Sequence, residues 1–163
     1  MDNLHQKDIN QDNYQHLLKQ AGKDAIRAIL TEDARVQALP IVQKAGVVSD
    51  LVISFAESLG DSEAENQYKT ILIKAGFEIC NKLVIAENSP YFNNRIEQAL
   101  LVKLAVKKVL CQLDGLEVQG WCDTSYSGLI KKELEVFRQL FNEWVGAFDK
   151  STYLSDGWDL LNG

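Results

Sequence analysis

Histidines and cysteines, which commonly bind metals or take part in catalysis, are few in this chain and widely spaced. Its two histidines, His5 and His16, both precede the long apolar runs. A di-iron bundle needs Glu-x-x-His pairs on facing helices, and a haem globin needs a histidine deep in the fold. The histidine positions therefore argue against both kinds of cofactor site, and against a phosphorelay domain with its histidine in mid-bundle.

The three cysteines, Cys80, Cys111 and Cys122, form no Cys-x-x-Cys pair. An odd count without paired ligands favours buried thiols in a reducing, cytoplasmic environment and argues against a zinc site. No Gly-x-x-x-x-Gly-Lys or Gly-x-Gly-x-x-Gly segment is present for binding phosphates. We therefore predict no cofactor, no metal and no catalytic residue.

Carboxylates offer the remaining route to chemistry. Four of them cluster at a predicted helix junction within residues 57–65, and a further pair lies on the last helix: Glu57, Asp61, Glu63 and Glu65, then Glu133 and Glu135. Paired carboxylates can hold Mg²⁺ together with substrate phosphates. Acidic residues at helix ends more often cap the helix or remain solvated. A small metal-dependent enzyme using this junction is thus the alternative function.

Composition and charge indicate a soluble globular domain. The 163 residues are 46% hydrophobic and 25% charged, and the formal net charge is −6. A negative protein lacks the field that attracts nucleic acid or anionic lipid, so we expect no nucleic acid and no membrane, and a basic protein is a candidate partner. A short basic strip is interpreted as a solvated or ion-paired helix face; it comprises Arg95, Lys103, Lys107 and Lys108.

Residues 96–113 are predicted to form the central helix, because Lys103 is the only polar residue between Ala99 and Val106. A helix this apolar is expected to be covered on most sides. Its lysines would be costly in a bilayer, at roughly 2.5 to 3.5 kcal/mol each near the centre. We therefore predict a bundle helix that ends at Asp114-Gly115, followed by a loop over residues 116–126.

The other helices follow from apolar residues at steps of three and four. We predict a short helix from Asp12 to Gly22, a helix over 34–59 kinked or broken at Pro40 or Gly46, and an amphipathic helix over 127–148. The stretch 68–85 resembles a hairpin in composition, but its polar residues line one helical face.

The predicted fold is an all-α, single-domain bundle of about five to seven helices over residues 12–150. It is organised around the central helix 96–113 and the long C-terminal helix 127–148. Residues 1–11 are predicted to be a frayed polar terminus, and residues 151–163 form a separate tail.

The tail contains the residues that most resemble a binding anchor. They are Trp158, Leu160 and Leu161, with Trp121 as a further candidate in the predicted loop. Trp is enriched in binding hot spots, although the favoured interpretation of the tail is a clasp that folds back and closes the end of the bundle. We predict a non-enzymatic protein that acts by binding another protein, of the inhibitor, immunity, adaptor or chaperone type. A homodimer remains open.

Overall fold

The computed structural model describes residues 20, 23–24 and 31–158. The predictions for residues 1–11, for the helix 12–22, and for Leu160 and Leu161 lie outside these residues. The chain divides into two compact units, residues 1–38 and 39–163. In the first unit, helix α1 spans Thr31–Gln37, and Arg35 pairs with Glu32 at 2.6 Å.

The second unit consists of helices joined by short connections. They are α2 (Pro40–Glu57), α3 (Glu63–Glu87), α4 (Phe92–Gln119) and α5 (Thr124–Gly146), followed by a 3-10 turn (Lys150–Thr152). Helix is the only regular structure in the part of the chain that the structure describes. The all-α prediction is therefore confirmed, because apolar residues at steps of three and four form a face that a helix can pack against its neighbours.

The predicted helix over residues 34–59 is broken at Pro40. Helix α1 ends at Gln37, and α2 begins with Pro40 in its first turn. Proline suits this position because its missing N–H would have no partner inside the helix. Gly46 lies within α2, which continues through it without interruption.

The ambiguous stretch 68–85 is helical and lies inside α3. Ser62 and Glu65 form a reciprocal capping box at the start of this helix. Gly76 is buried within α3 and faces α2, where a Cβ would make an ordinary van der Waals contact, 3.4 Å from Ser49 Oγ. The helical prediction is thus correct, and Gly76 lies inside the helix and not in a hairpin turn.

The predicted end of the central helix at Gly115 is wrong. Helix α4 continues through Asp114-Gly115 to Gln119, and Gly120 ends it in the left-handed conformation with φ 69°. Gly115 instead accommodates the ring of Tyr68 from α3, because a Cβ there would lie 2.9 Å from Tyr68 Oη. The predicted loop over residues 116–126 is correspondingly reduced to the few residues between Gln119 and Thr124.

The contacts among the helices of the second unit determine which side of α4 is covered. Helix α3 packs extensively on both α2 and α4, and α5 packs on α2, whereas contact between α4 and α5 is slight. Leu100 and Leu104 of α4 are each 51% exposed. The expectation that this helix is covered on most sides is therefore wrong, because α5 leans towards α2.

Helix α5 carries the predicted apolar seam. Ile130, Leu134 and Phe137 are buried, and Phe148 is buried just beyond the end of the helix. Asp123 caps the first turn by accepting a hydrogen bond from the Ser125 N–H. Phe141 and Trp144 are only half-buried, so the seam covers the core along part of its length.

None of the helices in the described part of the chain is by itself long and apolar enough to cross a membrane. Taken as one sequence, the consecutive helices Thr31–Gln37 and Pro40–Glu57 meet the same length and composition test.

Candidate binding groove

The slight contact between α4 and α5 leaves an open groove of about 430 Å³. Two groups of side chains form it. Its apolar floor consists of Val106, Leu110, Leu134, Phe137 and Phe141, and its polar rim consists of Lys103, Lys107, Lys131, Glu135, Arg138 and Asn142. The groove exists because the side chains of the two helices fail to interdigitate here, whereas α3 covers the opposite side of α4 closely.

The floor is a continuation of the core that reaches the surface. Leu134 and Phe137 are buried, while Val106, Leu110 and Phe141 are half-buried and accessible from the groove. The rings of Phe137 and Phe141 lie 6.2 Å apart, with a tilted arrangement. An apolar ligand entering the groove would therefore meet aliphatic side chains on one wall and an aromatic pair on the other.

The rim carries four positive charges and one negative charge. Arg138 pairs with Glu135 along α5, and Lys131 pairs with Asp114 Oδ1 at 2.7 Å and with Glu117 Oε2 at 3.0 Å. Lys103 and Lys107 are exposed and have no ion-pair partner among residues 31–158. Their ammonium groups are thus available to an acidic ligand.

The structure divides the basic strip predicted from the sequence. Arg95 is committed to Glu87 at 2.5 Å, and Lys108 pairs with Glu78 of α3 at 3.1 Å. Lys103 and Lys107 are left on the other side of α4, at the groove. The expectation of a solvated or ion-paired face agrees with both pairs, since Arg95 and Lys108 are ion-paired and Lys103 and Lys107 are exposed.

A buried carboxylate joins three helices near one end of the groove. Trp144 Nε1 donates a hydrogen bond to Glu87 Oε1 at 2.6 Å, and Arg95 binds the same oxygen. The Arg95 guanidinium also lies 4.3 Å from the centre of the Phe148 ring. This cluster fixes the C-terminal end of α5 against α3 and α4.

A second polar cluster lies at the connection between α4 and α5. The Ser127 hydroxyl, which is fully buried, donates to Glu117 Oε1 at 2.5 Å. This hydrogen bond, followed by that from Lys131, lowers the pKa of Glu117 below its ordinary value. Burial, and then the charge of Glu117, raises the pKa of the nearby Cys122 thiol. A lowered pKa at Glu117 and a raised pKa at Cys122 both oppose proton transfer from the thiol to the carboxylate.

The acidic junction at residues 57–65 is used to start α3. Glu65 Oε2 accepts hydrogen bonds from the Ser62 N–H and hydroxyl, which lower the pKa of Glu65. Asp61 pairs with Lys69 at 2.7 Å. In the described residues, no group of three or more His, Cys, Asp or Glu side chains is placed to hold a metal ion. Of the second acidic pair, Glu133 binds Lys44 at 2.7 Å.

The three cysteines are free thiols, but they are not equally buried. Cys111 is exposed on α4, so the expectation of a buried thiol is wrong at this position. Cys80 and Cys122 are half-buried, and burial raises the pKa of Cys80 as well. The prediction failed at Cys111 because that residue lies on the uncovered face of α4.

Trp121 and Trp158, the two predicted binding residues that the structure describes, are associated with opposite ends of α4. Trp121 lies just beyond the C-terminal end of α4, where its ring contacts Tyr68 edge-on at 6.1 Å. Trp158 is 80% exposed, and the tail meets the opposite end of α4 through Leu154 N–H and Asn93 Oδ1 at 3.2 Å. Trp121 follows the C-terminal end of this 28-residue helix, whereas the tail contacts its first turn.

The groove was not predicted from the sequence. Its residues were assigned to the apolar part of the central helix, to the apolar seam of the C-terminal helix and to the basic strip. One available signal was the spacing of Lys103 and Lys107 beside Val106 and Leu110, which places charge and apolar surface on the same side of α4.

A shallower apolar surface lies on α3. Phe77, 61% exposed, is its most prominent side chain, with Lys74, Glu78, Cys80, Asn81 and Val84 around it. This surface is open and flat, and its two flanking charges have opposite signs. It therefore offers less shape and charge selectivity than the groove between α4 and α5.

Comparison of this chain with protein families, curated proteins and solved structures found no match. The geometry and chemistry of the groove are therefore the available indications of function.

Proposed function

We propose that this protein is a non-enzymatic binding protein that accepts an acidic amphipathic helix of another protein in the groove between α4 and α5. The observation that carries the proposal is an apolar floor accessible beneath a predominantly basic rim. Such binding would suit a protein of the inhibitor, immunity, adaptor or chaperone type. The three free thiols support a reducing, cytoplasmic location.

The length of the groove suits a helix of two to three turns. Its lining residues extend from Lys103 to Leu110 on α4 and from Lys131 to Asn142 on α5, which correspond to about 10 and 16 Å of helix. A bound helix presents apolar anchors at positions i, i+3, i+4 and i+7, which span about 10 Å. Such anchors match the length of the floor.

Exposed leucines extend the apolar surface beyond the groove. Leu100 and Leu104 are each 51% exposed on the neighbouring face of α4, and Lys103 and Lys107 lie between that face and the floor. A small-molecule site encloses most of its ligand, whereas a protein partner covers a broader apolar patch with a charged border. The leucines therefore favour a protein ligand.

The charges at the groove determine which charge is favoured on the partner. The net charge of −6 suggested a basic partner, but the groove presents two unpaired lysines with two further cations nearby. Charged rims mainly determine specificity and association rate, so the sign at the contact surface matters more than the total charge. An acidic helix is thus preferred at this site.

The alternative function, a metal-dependent enzyme at residues 57–65, has less support. Glu65 and Asp61 are engaged in helix capping and in an ion pair with Lys69. A homodimer in which two grooves face each other is also disfavoured, because their basic rims would repel.

Two designed peptides test the proposal. One is an amphipathic 16-residue helix with leucines on one face and glutamates on the other, and the second replaces every glutamate with lysine. Fluorescence anisotropy with the full chain is expected to show binding of the acidic peptide at least tenfold tighter than binding of the basic one.

Charge reversal at the groove is compared with an equal charge reversal outside it. Lys103→Glu with Lys107→Glu is expected to weaken binding of the acidic peptide about tenfold or more. Lys74→Glu with Lys132→Glu makes the same change in net charge outside the groove and is expected to have a much smaller effect. Equal affinity for both peptides, or equal loss in both double variants, would overturn the proposed function.

A further inference from the structure

The C-terminal tail begins at a fixed position on α4. The Leu154 N–H donates a hydrogen bond to Asn93 Oδ1 at 3.2 Å, and Asn93 is buried in the first turn of the helix. The preceding 3-10 turn also contacts α4. Residues after Leu154 therefore start from a known point at the N-terminal end of this helix.

An apolar and basic stripe on α4 leads away from that point. Asn93, Leu100, Leu104 and Lys107 are separated by seven, four and three residues, which places them along one face of the helix. Lys103 lies beside this stripe and forms part of the groove rim. The tail thus emerges at the start of a surface whose leucines are half exposed and whose lysines are unpaired.

The tail is long enough to follow this stripe. The distance from Asn93 to Lys107 along the helix is about 21 Å. Extended chain from Leu154 reaches about 13 Å at Trp158 and about 23 Å at Leu161. An extended tail that followed this face would bring Trp158 alongside Leu100 and Leu104 and would let Asp159 reach the two lysines.

The composition of the tail complements the stripe. Trp158, Leu160 and Leu161 supply apolar surface, and Asp159 lies between them. In the structure, the Trp158 N–H donates to Asp156 Oδ1 at 3.0 Å, and Gly157 has φ 83°. This turn holds Trp158 in an 80% exposed position. The structure therefore shows the undocked form, and docking requires the turn to open.

We propose that residues 155–161 are an internal, reversible occupant of this stripe and of the adjoining groove mouth, which an external acidic helix must displace. Trp158 covers Leu100 and Leu104, and Asp159 pairs with Lys103 and Lys107. Tethering favours the chain's own tail over a free ligand, because a short linker gives an effective concentration in the millimolar range. The competition, although not the docking itself, rests on the proposed function.

The test compares the full chain with the full-length triple variant Trp158→Ser, Leu160→Ser, Leu161→Ser. NMR amide shifts of Leu100, Leu104 and Lys107 are expected to differ between the two proteins and to be independent of protein concentration. The variant is also expected to bind the acidic 16-residue peptide several-fold more tightly. As matched single variants, Asp159→Asn should reproduce part of both effects, and Asp50→Asn on α2 should reproduce neither.

The proposal would be overturned if the amide shifts of Leu100, Leu104 and Lys107 were the same in the full chain and in the triple variant. Shifts that grow with protein concentration would also overturn it, because the occupant would then be the tail of a second copy. If the shifts change independently of concentration but neither protein binds the acidic peptide, internal docking is supported and the proposed function fails. If the peptide binds both proteins equally, the proposed function stands and the competing role of the tail is contradicted.

Discussion

The two long sides of α4 differ in how they are covered. Towards α3, residues such as Val109 and Leu113 are fully buried, and Gly115 admits the Tyr68 ring. Towards α5, polar clusters at Glu87 and at Glu117 fix the two ends, and the groove lies between them. The position of α5, rather than the composition of α4, therefore determines where this core opens.

Interactions between α5 and α2 explain that position. Lys44 of α2 pairs with Glu133 at 2.7 Å, and both side chains are mostly buried. The Phe55 and Tyr126 rings also meet edge-to-face at 5.2 Å. These contacts draw α5 towards α2, which leaves the aromatic side of α5 only partly covered by α4.

The largest expected effect separates two phenylalanines of α5. Phe137 is 2% exposed, so Phe137→Ala should lower the free energy of unfolding by about 3 to 5 kcal/mol. Phe141 lies half-buried in the groove wall, and Phe141→Ala should cost roughly half as much. Urea denaturation measures both values. Equal losses would mean that the groove is closed in solution and would remove the contrast between the two sides of α4.

Two glycine substitutions test whether the backbone is closely packed where α3 contacts α4 and open on α5. Gly115→Ala places a Cβ against Tyr68 and should destabilise the protein by about 1 to 3 kcal/mol. Gly128→Ala, in α5 where no atom lies within 4 Å of the new Cβ, should stabilise it by about 0.4 to 1 kcal/mol. Thermal unfolding reports the sign of each change. A stabilising Gly115→Ala would show that Tyr68 does not pack closely against Gly115.

The smallest effect concerns the cluster at the α4–α5 connection. Ser127→Ala removes the main cause of the lowered pKa of Glu117, so this pKa should rise towards its ordinary value. A lowered carboxyl pKa stabilises the fold above the unfolded pKa, and the stabilisation is lost as pH falls through the folded value. The variant should therefore lose less stability on acidification. NMR titration of Glu117 tests this, with Glu135, whose pKa is lowered by Arg138, as the unchanged control.

The helices were predictable because each depends on local spacing and capping. The apolar seam of α5 occurs within the predicted helix, and Ser62, a residue type that favours N-caps, starts α3. Gly115 and Gly120 illustrate the limit: both resemble helix stops, but the contact with Tyr68 shows that the first is a packing residue. The groove was not predictable, because Lys103 and Arg138 become neighbours only when tertiary contacts set the position of α5.

The most direct test of the account is NMR mapping of the acidic 16-residue peptide on the full chain. Binding in the groove predicts that the amides of Lys103, Val106, Leu110 and Phe141 shift together as peptide is added. The amides of Phe77 and Val84, on the competing apolar surface of α3, should remain in place. Shifts centred on Phe77 and Val84, with the groove amides unchanged, would contradict the assignment of the groove as the binding surface.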